Sequence, residues 1–236
     1  MSSSPISLTY RTDKGVDAAI VAGCSGKPVL EAAGGGIHQT VWALAGKSAS
    51  DLITAMGDRP LYVTDGHHRL AAALEARRRN PNISQEHPLQ WTQAVLFPDV
   101  EMQVLATHRR VGDRATRSAD ALVTALSSIR ALKPCTDAAA ARPKQPGLVG
   151  VYIGGRWFSM DLPLASGERA VDLLDVSRLQ DGILAPIFDI IDPGSSPMID
   201  YVPEPVGISA LATRCDADNR VGFVMYATSV AEMMAV

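Results

Sequence analysis

Pro60-Leu61-Tyr62-Val63-Thr64-Asp65-Gly66-His67-His68-Arg69-Leu70-Ala71-Ala72-Ala73 changes backbone period half-way along. Leu61 to Thr64 is a short apolar run bounded by turn residues, which predicts a buried strand. From His67 the apolar positions Leu70, Ala71, Leu74 and Ala76 recur at helical spacing. Arg77-Arg78-Arg79 complement the negative end of that helix, and Asn80-Pro81 stop it. Asp65-Gly66 lies between the two, so the run reads as a strand-turn-helix unit with its polar residues gathered at the turn.

On the N-terminal side, Ile6 to Tyr10 alternates as a strand and ends in the charged turn Arg11 to Gly15, with Val16 to Ala22 expected to return as a second strand. Gly34-Gly35-Gly36 breaks the chain before a strand over Ile37 to Leu44, and Asp51 to Met56 places Leu52, Ile53 and Met56 on one helical face. On the C-terminal side, Trp91 to Phe97 reads as a strand. Met102 to Ala106 reads as its partner, delivering Thr107-His108-Arg109-Arg110 at its far end. Ser118 to Ile129 makes an amphipathic helix with Leu122, Leu126 and Ile129 on one side.

Lys133 to Gly147, with three prolines and an alanine run, predicts a linker. The expected organisation is a core lobe over 1-132, the linker over 133-147 and a second lobe over 148-236. In that lobe Gly154-Gly155 signals a hairpin between Val149 to Ile153 and Arg156 to Met160. A helix is expected over Asp175 to Phe188 with Asp175 as cap, strands over Met198 to Val202 and Val221 to Ala227, a helix over Gly207 to Arg214, and a terminal helix capped by Ser229. Mixed elements without strict βα alternation predict an α+β fold, with a mixed-sheet α/β arrangement as the alternative.

The chain has 236 residues, 47% apolar and 20% charged, with a net charge of −3. That composition excludes intrinsic disorder and gives no global basic footprint for a nucleic acid. Cys24, Cys135 and Cys215 are far apart, which argues against a disulfide framework or a cysteine zinc site. The first residues carry no basic, apolar signal pattern, and no apolar stretch approaches the ~20 residues that span a bilayer. A cytoplasmic protein with no membrane partner is expected. No P-loop, GxGxxG after a strand or HExxH occurs.

The chemistry concentrates at Asp65 to Arg69. The first amides of a helix have no internal partner and a partial positive charge, so a strand-to-helix turn is suited to anions. Gly66 allows close approach, Arg69 offers a planar fork for phosphate or carboxylate, and His67 and His68 supply donors or a proton carrier. Asp65 can cap the helix, ligate magnesium or accept a hydroxyl proton. Adjacent histidines differ by about 100° around the helix axis and do not share one metal ion. His38, on an alternating strand, and Thr107, His108 and Arg109, at a strand end, are candidate substrate contacts.

These residues resemble the signature of the domain of unknown function 1015 family. Ser4-Pro5-Ile6-Ser7-Leu8-Thr9-Tyr10, His38 with Trp42, Val104 to Arg109, and Leu174 to Leu179 with Ile183-Leu184-Ala185-Pro186 follow the family's other blocks in order. More distantly, the Asp-Gly-His-His-Arg run is similar to the Asp-Gly-His-Thr-Arg run of free serine kinases and to the phosphate turn of the ParB and sulfiredoxin-like superfamily. The resemblance implies a ParB/sulfiredoxin-like core with a second small α/β lobe. It also implies Gly66, His67, His68 and Arg69 as nucleotide-phosphate contacts, and Asp65, His67 and His68 as catalytic groups.

ATP or ADP with Mg2+ are the implied cofactors, and phosphoryl transfer to a small hydroxylated metabolite is the implied activity. A non-catalytic nucleotide- or ligand-binding module is the alternative. Sulfiredoxin chemistry is excluded because the turn has no cysteine. The family pattern carries terminal blocks with no counterpart in this sequence, so a homo-oligomer or a complementing subunit is an expected partner.

Overall fold

The computed structural model describes residues 4–236. The chain divides into two compact units, one ending at Met102 and the other beginning at Gln103. Both mix helices and strands, which makes the fold α+β.

The first unit runs β1 (Ile6–Tyr10), α1 (Lys14–Gly23), β2 (Leu30–Gly34), β3 (Ile37–Val41), α2 (Gly46–Met56), β4 (Tyr62–Asp65), α3 (His67–Arg79) and β5 (Ala94–Pro98). β1 is the middle of a three-stranded sheet, antiparallel to β4 and parallel to β5. Its central place accounts for burial on both faces: Ile6, Leu8 and Tyr10 are buried, and so is Thr9. Thr9 satisfies its hydroxyl by donating to the Phe97 carbonyl at 2.9 Å. β2 and β3 form a separate hairpin across Gly35 and Gly36, whose φ values of 59° and 79° suit the tight turn.

Two expectations change here. The segment Val16 to Ala22 is helical, because the Asp13 carboxylate accepts from the amides of Gly15 and Val16 and thereby caps α1. β4 is only half-buried, since it is an edge strand rather than a central one.

The second unit runs β6 (Thr107–Val111), α4 (Ala119–Ile129), β7 (Lys133–Cys135), α5 (Ala138–Ala141), β8 (Leu148–Ile153), β9 (Arg156–Asp161), α6 (Ala170–Leu173) and α7 (Asp175–Leu179). A π-helical turn over Gln180–Leu184, α8 (Ala185–Phe188), β10 (Ile199–Pro203), α9 (Ile208–Asp218), β11 (Val221–Met225) and α10 (Val230–Ala235) complete it. Its six strands form one antiparallel sheet in the order β10-β6-β11-β8-β9-β7.

Both faces of this sheet are covered, and the period-2 alternation sorts the side chains between them. Val111, Val151 and Phe223 pack on one face with Leu122 and Leu126 of α4 and with Leu179, Ile183, Leu184 and Phe188. Tyr152, Val202 and Val224 pack on the other with Ile208, Leu211 and Cys215 of α9. Double coverage turns β11 into a fully buried run.

The linker expected at 133-147 is instead part of this unit. β7 pairs with β9 at the sheet edge, where Pro134 is tolerated because its missing N–H removes no interior ladder bond. The strand expected over Met102 to Ala106 starts later, at Thr107. The expected helix over Asp175 to Phe188 is broken by the π turn. Pro186 has no N–H and its ring would crowd the carbonyl four residues earlier, and the wider turn accommodates both facts. Asp175 does not cap that segment. It lies inside the first turn and accepts the Gly147 amide at 2.8 Å. The Gly154-Gly155 hairpin and the Ser229 cap stand where expected, the latter as a reciprocal capping box with Glu232.

Candidate functional site

The turn after β4 is built by one residue with a left-handed backbone. Gly66 has φ 88° and ψ 26°, and a Cβ there would lie 3.0 Å from both Arg69 Nη2 and Ile6 Cγ2. α3 therefore opens directly behind a buried glycine. Among the described residues no side-chain hydrogen bond caps its start, so Asp65 does not act as the cap expected of it. The Asp65 carboxylate points instead along the helix, with Oδ2 accepting from Arg69 Nη2 at 2.9 Å. Arg69 Nη1 donates to the Pro5 carbonyl, which ties α3 to the start of β1. The Asp65 side chain is 77% exposed against 31% for Arg69. His67 and His68 are exposed. Behind the turn, the Thr64 hydroxyl donates to Ser7 Oγ at 2.7 Å and fixes β4 to β1.

The turn thus presents uncapped amides, two accessible imidazoles and a guanidinium already engaged. Among the described residues, no group of three or more His, Cys, Asp or Glu side chains is arranged to hold a metal ion. Asp65 stands as a lone carboxylate. His38 lies in the β2–β3 hairpin, opposite Ala33 and exposed.

Thr107, His108 and Arg109 belong to the second unit and lie within β6 itself, not at the end of a strand over Met102 to Ala106. His108 is fully buried. Its Nδ1 accepts the Met225 amide at 3.2 Å, and Nε2 lies 3.0 Å from Glu204 Oε2, in ion-pair range but off the hydrogen-bond line. Arg142 holds the other oxygen of Glu204. Burial lowers the His108 pKa, against the upward pull of Glu204. His108 thus links β6 to β11 from inside the sheet. Thr107 is exposed, and its carbonyl accepts from Arg109.

A cavity of about 630 Å³ in the second unit is lined by charged groups that already satisfy one another. Asp113 is doubly bonded to Arg117, and Asp218 is shared by Arg110 and Arg220. Burial pushes the Cys215 thiol up to about 12, so it is no nucleophile. A smaller cavity escaped the sequence reading altogether. It is walled by Arg109, Tyr201, Arg169 and Gln180, the last in the π turn. The signal that was available is Gly182 four residues before Pro186, a spacing that perturbs a helix.

The family model described as protein of unknown function (DUF1015) matches residues 1–177, three quarters of the 236 residues. The chain belongs to the DUF1015 family. The match takes in the Asp65 to Arg69 turn and ends within α7 of the second unit. The DUF1015 chain is also similar to a conserved hypothetical protein from Pyrococcus furiosus, at 14% identity and a TM-score of 0.38 over 97% of this chain and 79% of that one. No curated protein matches. Among the described residues no helix is long and apolar enough to cross a membrane.

Proposed function

We propose that this DUF1015 chain is a nucleotide-dependent phosphotransferase, a kinase acting on a small hydroxylated metabolite such as a free amino acid, with the phosphates held at the Asp65 to Arg69 turn. The observation that carries the reading is the opening of α3 behind a left-handed glycine with its first amides uncapped. Such amides are oriented donors for phosphate oxygens, and the helix dipole adds charge of the right sign. The similarity of Asp-Gly-His-His-Arg to the phosphate turn of ParB and sulfiredoxin-like proteins supports the same assignment.

The ion pair between Asp65 and Arg69 fits this chemistry. An exposed pair contributes below about 1 kcal/mol, whereas hydrogen bonds from a guanidinium to a phosphate contribute about 1.5–3 kcal/mol each. A phosphate therefore outcompetes Asp65 for the fork. Asp65 would then be free to hold magnesium, which usually takes only one or two carboxylates beside substrate phosphates. Magnesium supplies charge neutralisation on the transferred group. His67 accepts the proton of the acceptor hydroxyl as its oxygen forms the bond to phosphorus and the bond to the nucleoside diphosphate breaks.

Calorimetric titration with ATP and ADP, with and without magnesium, tests the reading on wild type and Arg69→Ala. Binding by the wild type that weakens in the variant supports it, and no binding by the wild type removes it.

The second reading is a non-catalytic nucleotide- or ligand-binding module. It is favoured by the absence, among the described residues, of a hydrogen-bond partner orienting either exposed histidine, since a general base is usually held by a third group. Nucleotide binding without phosphate transfer to a panel of amino acids and sugars, and without hydrolysis, selects this reading.

A further inference from the structure

Arg109 stands on the inner face of the six-stranded sheet. Its register partners are Tyr201 on β10 and Phe223 on β11, and both Phe223 and Val111, two residues along β6, are fully buried in that face. Its guanidinium lies over the Tyr201 ring, 5.6 Å from the centroid, and one nitrogen donates to the Thr107 carbonyl. Among the described residues no carboxylate lies within ion-pair distance, and the rest of the fork has no protein acceptor. Burial pulls its pKa below the ordinary arginine value. Arg109 is half-buried, and a guanidinium that gives up part of its hydration without a counter-ion is left under-compensated.

The space in front of it is a cavity of about 380 Å³. Both acids on its wall act on Arg169 rather than on Arg109: Asp172 holds it through both oxygens, and Asp181, which accepts from Ser166 at 2.6 Å, acts on it through space. Gln180, in the π turn, donates to the Ile190 carbonyl at 2.6 Å, and its Oε1 is buried without a donor. π turns of this kind recur at functional sites.

We infer that this cavity is a binding site for a small oxyanion, a carboxylate or phosphate carried by a small polar molecule, with Arg109 as its fork. The anion supplies the missing counter-charge, and the planar guanidinium accommodates either group through paired N–H bonds. The inference is independent of the Asp65 to Arg69 turn.

The test is titration calorimetry and thermal unfolding of the full chain with two probes, inorganic phosphate and L-lactate, the two arms separating phosphate from carboxylate. At least one probe is expected to bind the wild type, and about ten-fold or more weakly to Arg109→Met. Without probe, Arg109→Met is expected to unfold at the wild-type temperature or above, because the apolar stem is kept and the unpaired charge removed. Arg109→Lys keeps the charge without the fork and is expected to bind between the two; it carries the test if Arg109→Met does not fold. Phosphate held at the Asp65 to Arg69 turn is separated by repeating the titrations in the Arg69→Ala background, where the Arg109-dependent binding is expected to persist. Failure of both probes to bind the wild type overturns the inference. So does equal binding by Arg109→Met, or its unfolding well below the wild type, which marks Arg109 as a structural strut.

Discussion

Arg69 reaches back one helical turn to Asp65, Nη2 to Oδ2 at 2.9 Å, across the left-handed Gly66. The pair spans the opening of α3 without covering its first amides. It places the turn's strongest cation and its only carboxylate in contact, so each controls the availability of the other.

Asp65→Ala separates these roles. The pair is exposed on the Asp65 side, so stability is expected to change by less than about 1 kcal/mol in urea unfolding. Under the proposed function, nucleotide binding without magnesium is expected to tighten, because Arg69 no longer has a competitor, while phosphate transfer is lost. Unchanged transfer in this variant contradicts a catalytic role for Asp65.

Gly66→Ala tests the backbone. The φ of 88° is strained for any L side chain, and the new Cβ would press on Ile6 and Arg69 at 3.0 Å. A destabilisation of about 1–2 kcal/mol is expected. Urea unfolding measures it, and a shift below a few tenths of this would show that the turn relaxes freely.

His108 sets a pH dependence. Its pKa is lowered by burial, so as pH falls below about 6.5 the unfolded chain takes up a proton that the folded chain refuses. Stability therefore falls with falling pH in this window. Asp113 and Asp200, held below the usual carboxylate range by Arg117 and Arg110, add their loss at lower pH, around their ordinary value of 3.8 and below. The urea midpoint is expected to drop between pH 7.5 and 5.5 in the wild type and to drop less in His108→Gln. Parallel curves would place the dependence elsewhere.

Phe223→Ala probes the core of the second unit. Phe223 is fully buried and meets Phe188 edge-on, ring centroids 6.0 Å apart. Truncation loses buried apolar area and the aromatic contact together, and is expected to cost about 3–5 kcal/mol by urea unfolding.

Local signals were legible wherever neighbouring residues settle their own backbone. The Gly154-Gly155 hairpin, the Ser229–Glu232 box and the strand-turn-helix at Gly66 were readable for that reason. Val16 to Ala22 misled because its β-branched residues suit a strand, while one carboxylate, Asp13, tips the segment into a helix. Lys133 to Gly147 misled because prolines that mark a linker are equally at home on a sheet edge, and edge position is not written in local sequence.

The sequence alone determined the α+β character, the turn at Asp65-Gly66 and the polar groups gathered there, because backbone preference and periodicity act over a few residues. Only the tertiary structure decided that Asp65 faces Arg69 rather than capping α3. It alone sealed His108 inside the sheet and left Arg109, one residue further on, facing a cavity without a counter-ion. Those outcomes depend on which strands lie beside β6 and which helices cover each face, and pairing between distant segments leaves no trace in the local pattern of side chains.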